Sequence, residues 1–181
     1  MASYNVNDKN SREYQENLYN GSRYNLLAVL IFTAVNLLIL VTGGDSYWLF
    51  SASVPYFLTM FGMIFDTPVY AQEFVVGTFT ITALVISAVI LAAYLVCWIF
   101  SKKHVGFLIA ALVMFAVDTL AFLGMIFLLQ FNIAENLLDI VFHAWVIISL
   151  SRGLAAYMKM KQMPEPVEEP QPPAYTGPEL D

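Results

Sequence analysis

The sequence predicts an all-α fold, a polytopic membrane bundle of four transmembrane helices with an outer interfacial helix between spans one and two. Three observations predict it. The chain holds four long apolar runs, its Lys and Arg residues fall into three clusters, and an aromatic stretch bearing a proline lies between Asp45 and Asp66. With 59% hydrophobic and 12% charged residues and a mean hydropathy of +0.68, the chain lacks the polar surface of a water-soluble domain. The formal charge of −6 does not describe that membrane part, since five of the fourteen acids lie in the last seventeen residues.

Residues 1–23 are rich in Asn, Tyr, Ser and charge, and are expected to form a flexible or weakly helical polar cytoplasmic arm. Asn20, Gly21 and Ser22 match a glycosylation acceptor, which the cytoplasmic placement leaves unused. The first apolar run follows this arm and is too long for the apolar region of a cleavable signal peptide, so it is expected to stay in the mature protein. The membrane domain then covers 24–162, with spans at about 24–42, 75–100, 105–131 and 137–157. From Tyr24 to Val41 eighteen residues pass without a charge, about 27 Å at the helical rise of ~1.5 Å per residue, close to a ~30 Å hydrocarbon core.

The segment from Tyr47 to Phe65 has nineteen uncharged residues, and hydropathy alone would allow a fifth span. Charge placement excludes it. The basic clusters are Lys9, Arg12 and Arg23; Lys102 and Lys103; and Arg152, Lys159 and Lys161. Cytoplasmic loops carry the Lys/Arg excess, so Arg23 and Lys102 share a side and an even number of crossings separates them. Both termini are then cytoplasmic, and 47–65 lies outside, in the outer interface, dipping partway into the bilayer, or capping the bundle as a lid. Phe50, Val54, Phe57, Leu58, Phe61 and Phe65 recur on one helical face, with Ser51, Ser53 and Thr59 away from it. Tyr47, Trp48 and Tyr56 suit the headgroup level, and Pro55 would interrupt a helix in mid-span.

Residues 163–181 form a Pro/Glu-rich cytoplasmic tail, expected to be disordered, that carries six of the eight prolines. Within it Pro172, Pro173, Ala174 and Tyr175 spell P-P-x-Y, the ligand pattern of WW domains and so a candidate partner motif. The single cysteine, Cys97, excludes an intramolecular disulfide and a cysteine-based metal cluster.

Three sets of polar residues inside the apolar runs are candidate sites. Asp118 lies near the middle of the third span, about fourteen residues or ~21 Å from either end. A central Asp opposes insertion by about 2.5 to 3.5 kcal/mol, which the fifteen Val, Ile, Leu and Phe residues of Val105–Leu129 outweigh at roughly 5 to 9. Its helical neighbours Ala111, Met114, Ala121 and Met125 fit a packed face. Low dielectric favours a protonated carboxyl donating to Ser87 or Ser149, for which Asn would be a nearly silent replacement. The other reading is a proton or cation site.

Glu135, Asp139 and His143 are spaced four apart and are expected on one face of the fourth span, with Asn36 at similar depth in the first. That set could bind a divalent metal or relay protons; equally, the acids serve the helix dipole and Asp139 holds the histidine. Finally, Gly106 with Ala110, and Ala88 with Ala92, permit close helix approach within the bundle or between copies.

The order of span, loop and interfacial helix over the first third of the chain loosely resembles the start of rhomboid-type proteases. Their G-x-S-G segment is missing, as are H-E-x-x-H and G-x-G-D, so the resemblance does not carry a catalytic site with it. The chain is more similar to small uncharacterised bacterial proteins with four spans, a likeness that implies a cell-membrane location and no particular activity. A non-enzymatic protein acting through protein or lipid contacts is therefore expected. Its partners are the lipid bilayer and a membrane protein or second copy of itself, with neither cofactor nor nucleic acid. The competing class is a small transporter, channel or proton-coupled component using Asp118, with or without His143. Transporters carry internal repeats or helices broken at the midplane, and Pro55 and Pro68 lie outside the four spans.

Overall fold

The computed structural model describes residues 11–44, 47–71 and 73–164; the P-P-x-Y motif and the tail around it lie outside these residues. Five helices follow one another: α1 (Arg12–Val41), α2 (Ser53–Asp66), α3 (Thr78–Phe100), α4 (Val105–Leu128) and α5 (Leu137–Gln162). All but α2 are long and apolar enough to cross a membrane, and together they make a multi-pass bundle. Arg23, Lys102, Lys103 and Arg152 gather at one end, here the basic end; α1 and α4 finish, and α3 and α5 start, at the opposite end.

The boundaries move in a consistent way. α1 begins at Arg12, so of the two forms expected for the arm the part beyond Ser11 takes the helical one. Ser11 caps it by accepting from the Tyr14 amide, and Gln15, Tyr19 and Ser22 are buried. Tyr19 donates its hydroxyl to the Ser101 carbonyl, and the Arg23 guanidinium bonds Ser101 Oγ at 2.9 Å and the Trp98 carbonyl at 3.2 Å. These bonds fasten α1 to the end of α3, which explains why the helix runs past the apolar segment. Ser22 also places its glycosylation-like triplet in the middle of a packed helix. α1 and α5 meet where Ser22 donates to the Ser149 carbonyl at 2.6 Å, and a Cβ on Gly153 would fall 2.2 Å from Ser22 Oγ. Only glycine fits there.

α2 leaves the pattern of an interfacial helix lying flat. It runs antiparallel to α3: Asp66 meets the first turn of α3, Gly62 touches the Phe79 and Thr80 backbone, and the Pro55 carbonyl accepts from Ser87. Ser87 is nine residues, about 14 Å, inside α3 from Thr78, which is roughly half the ~30 Å hydrocarbon thickness. The segment 47–52 therefore descends along α1 and α2 climbs back out, so among the arrangements the sequence allowed, the segment dips into the bundle. The face it buries is Ser53, Pro55, Thr59, Gly62 and Met63, while Phe57, Leu58, Phe61 and Phe65 stay partly or fully exposed. Small and polar residues pack inward and the apolar stripe turns outward, as expected where lipid rather than water surrounds the bundle.

The two small-residue pairs do not pack within the bundle. Gly106, Ala110, Ala88 and Ala92 all lie on outward faces, and a Cβ on Gly106 would meet nothing within 4 Å.

Candidate functional site

A helix that starts inside a bundle must find partners there for its first backbone amides, because no water is present to take them. α2 finds one for each. The Ala52 amide donates to Thr33 Oγ1 at 2.7 Å, the Ser53 amide to Asp118 Oδ2 at 2.9 Å and the Val54 amide to Asp118 Oδ1 at 2.8 Å. Pro55 follows and has no amide hydrogen to satisfy. Pro55 thus sits where a proline costs least, in the first turn, rather than interrupting a span. Asn36 on α1 holds the descending strand of chain, accepting from the Trp48 amide at 2.8 Å and donating to the Trp48 carbonyl at 2.7 Å and to Ser51 at 2.9 Å.

Asp118 is 4% exposed and acts as an acceptor at both oxygens. Its partners are not the two expected ones: Ser87 bonds Pro55 and Thr59, and Ser149 receives the Asn25 amide. Two backbone donors and the positive end of the α2 dipole meet its two oxygens. On the face around it Ala111 is buried as expected, but Ala121 points outward, and Phe115 and Phe122 complete the buried stripe instead.

His143, six residues into α5 and 3% exposed, lies between these two rings. Their centroids are 5.2 Å and 4.8 Å from the imidazole, at interplanar angles of 23° and 18°. Nδ1 stands 2.9 Å from the Asp139 carbonyl, an acceptor only, so Nδ1 carries a hydrogen. Nε2 is 3.3 Å from Asp118 Oδ2 and 3.2 Å from Ser53 Oγ. When Nε2 is protonated it donates to the carboxylate. When it is not, it accepts the Ser53 hydroxyl. A single proton on Nε2 therefore selects between two hydrogen-bond partners.

The other candidates do not join this centre. Glu135 precedes α5 and bonds Asn132, so it does not stack on a helical face with Asp139 and His143. Asp139 holds the histidine through its backbone carbonyl, and Asn36 holds 47–52. Among the described residues no three His, Cys, Asp or Glu side chains converge as a metal site. The serine, histidine and aspartate are close, yet Ser53 and Asp118 share Nε2, whereas in a nucleophile relay the acid occupies the other ring nitrogen. The amides of Ser53 and Val54, which would otherwise face a reacting oxyanion, are already filled by Asp118.

No protein-family model, curated protein or solved structure matches the chain.

Proposed function

We propose that the chain is a non-enzymatic multi-pass membrane protein that acts through protein or lipid contacts, and that Asp118 and His143 pin its re-entrant segment. The observation that carries this reading is the complete pairing of the site. Both Asp118 oxygens, both imidazole nitrogens and the first amides of α2 find partners within the bundle. Among the described residues no buried side-chain nitrogen or oxygen lacks a partner. A centre so occupied presents no free group to a substrate, which leaves the outward faces for function.

A specific feature favours one second reading. A half-length helix whose N-terminus meets a carboxylate and a histidine deep in the bundle is the kind of broken element from which transporters build ion sites. Reconstituted vesicles separate the two. The contact-based reading expects the wild-type protein to carry no proton or cation flux above protein-free vesicles under a pH or potassium gradient. A gradient-driven flux that is lost in His143→Gln at unchanged melting temperature would replace it with transport.

The proposal includes a cell-membrane location with both termini cytoplasmic, supported by the basic clusters at one end. In a Cys97→Ser background, cysteine at Asn132 should react with an impermeant thiol reagent on intact cells and cysteine at Lys103 should not. Lys103 is exposed, whereas Ser101, next to it in the turn, is buried and bonded. Labelling at Lys103 without permeabilisation would invert the orientation.

A further inference from the structure

We infer that the groove between α1 and α5 seats an anionic phospholipid, its phosphate at Arg152 and one acyl chain along Trp145 toward Phe50. Two hollows on this face share Trp145. One, of about 250 Å³ at the basic end, is lined by Asn17, Gly21, Asn25, Ser149 and Arg152. The other, of about 550 Å³, is lined by Ala28, Phe32, Trp48, Phe50, Phe142 and Trp145. The groove thus passes from a cation with amide and hydroxyl groups to aliphatic and aromatic walls, the order of polarity within a phospholipid.

The occupant follows from charge, depth and space. Arg152 is exposed, and its planar guanidinium suits a phosphate, which it can bond through two N–H groups. Its neighbours in the polar hollow are neutral, so the charge complementarity is toward an anion. From Arg152 to Phe142 the groove follows ten residues of α5, about 15 Å, the depth of one leaflet's hydrocarbon. The far wall is Phe50, held at φ +79° by edge contacts to Phe142 and Trp145 with ring centroids at 5.0 and 4.7 Å. That backbone region is rare for a bulky residue and persists where surroundings impose it. Phe50 thereby stands in the wall of the apolar hollow near mid-bundle, at the depth where an acyl chain of one leaflet ends. At the other end Gly21 lines the polar hollow, and a Cβ there would meet nothing within 4 Å.

This inference rests on the contact-based reading above and names the lipid class. It is tested in a variant carrying Trp48→Phe and Trp98→Phe, which leaves Trp145 as the reporter. The protein is reconstituted in phosphatidylcholine vesicles containing a minor fraction of lipid brominated on its acyl chains. Brominated phosphatidylglycerol should quench Trp145 as though enriched about fivefold over equally dilute brominated phosphatidylcholine, corresponding to the ~1 kcal/mol that a basic residue at an anionic surface supplies. Arg152→Gln should equalise the two, Gly21→Phe should weaken quenching by the anionic lipid, and Lys103→Gln should leave the preference intact. Circular dichroism confirms that each variant retains its helices. Equal quenching by the two lipids in the parent, or equal loss in Lys103→Gln and Arg152→Gln, would overturn the inference. So would protection of Trp145 from both lipids, which would give the groove to a partner helix or a second copy. Flux measurements are independent of all these outcomes, so loss of the contact-based reading and loss of the lipid site are told apart.

Discussion

Asp118 and Asp66 do the same job in two different surroundings. Each carboxylate spans the first turn of another helix: Asp118 takes the amides of Ser53 and Val54 at the start of α2, and Asp66 takes those of Gly77, Phe79 and Thr80 at the start of α3. Asp66 also accepts the Thr80 hydroxyl at 2.7 Å. α2 is thus capped by a carboxylate at its inner end and supplies one from its outer end. The difference is the alternative each amide has if its carboxylate goes. At Asp66 the protein surface is near and water can substitute; at Asp118 the bundle is closed around the helix start. A cap is worth most where nothing else can replace it.

The largest expected effect comes from Asp118→Ala, which strands two amides in the bundle. At about 1 to 3 kcal/mol for each unsatisfied group, the change should cost about 2 to 6 kcal/mol, measured by unfolding in detergent. Loss below that of Asp66→Ala would erase the contrast. Asp118→Asn sharpens it. Because the carboxylate accepts at both oxygens, the amide can replace only one acceptor and turns an N–H₂ toward the other donor, so about 1 to 3 kcal/mol should be lost. A silent Asn variant would restore the donor role that the sequence alone implied.

Between the two carboxylates lies Gly62, where a Cβ would come 2.8 Å from the Thr80 Cα and 2.9 Å from the Phe79 carbonyl oxygen. Both are backbone, so Gly62→Ala should force α2 away from α3 and cost about 1 to 3 kcal/mol by the same unfolding measurement. Melting unchanged by that substitution would mean α2 is held by its ends alone.

The smallest effect is expected at Asp66, and pH reveals it. Partial burial works to raise its pKa, but the bonds from Thr80, Phe79 and Gly77 together outweigh that and hold the carboxyl below its ordinary value of 3.8. A depressed native value means the stabilisation is complete above the ordinary carboxylate range and is lost as pH falls through the native value. Asp66→Asn should lower the melting temperature less than Asp118→Asn does at neutral pH, and should flatten the acid-side decline. An unchanged acid-side profile would show that Asp66 is not the titrating cap.

The spans were legible because a ~30 Å apolar requirement and segregated basic residues both leave one-dimensional traces. The two faces of α2 were legible too, in the separation of Phe57, Phe61 and Phe65 from Ser53 and Thr59, but periodicity does not say which face goes inward. Asp118 was found by depth. Its partners were not, since the amides of Ser53 and Val54 are backbone groups that every sequence supplies. Phe115, Asp118 and Phe122 do share one helical stripe, and that spacing carried a signal for the aromatic slot around His143. His143 itself was singled out, in a set with Glu135, the Asp139 side chain and Asn36, and with Asp118 only as an optional companion in transport, because contact between α4 and α5 leaves no trace in spacing along one helix.

The bond between Ser53 and Asp118 joins positions 65 residues apart, and it orders events during synthesis. When 47–66 leaves the ribosome, α4 has yet to be made, so the only partner waiting for the α2 start is Thr33 on α1. The Ser53 and Val54 amides gain their partner only when the third crossing brings its carboxylate, so the segment is expected to stay at the bilayer surface until then. Chains halted before Asp118 should therefore leave 47–66 open to proteolysis from that surface, and chains extended through His143 should protect it.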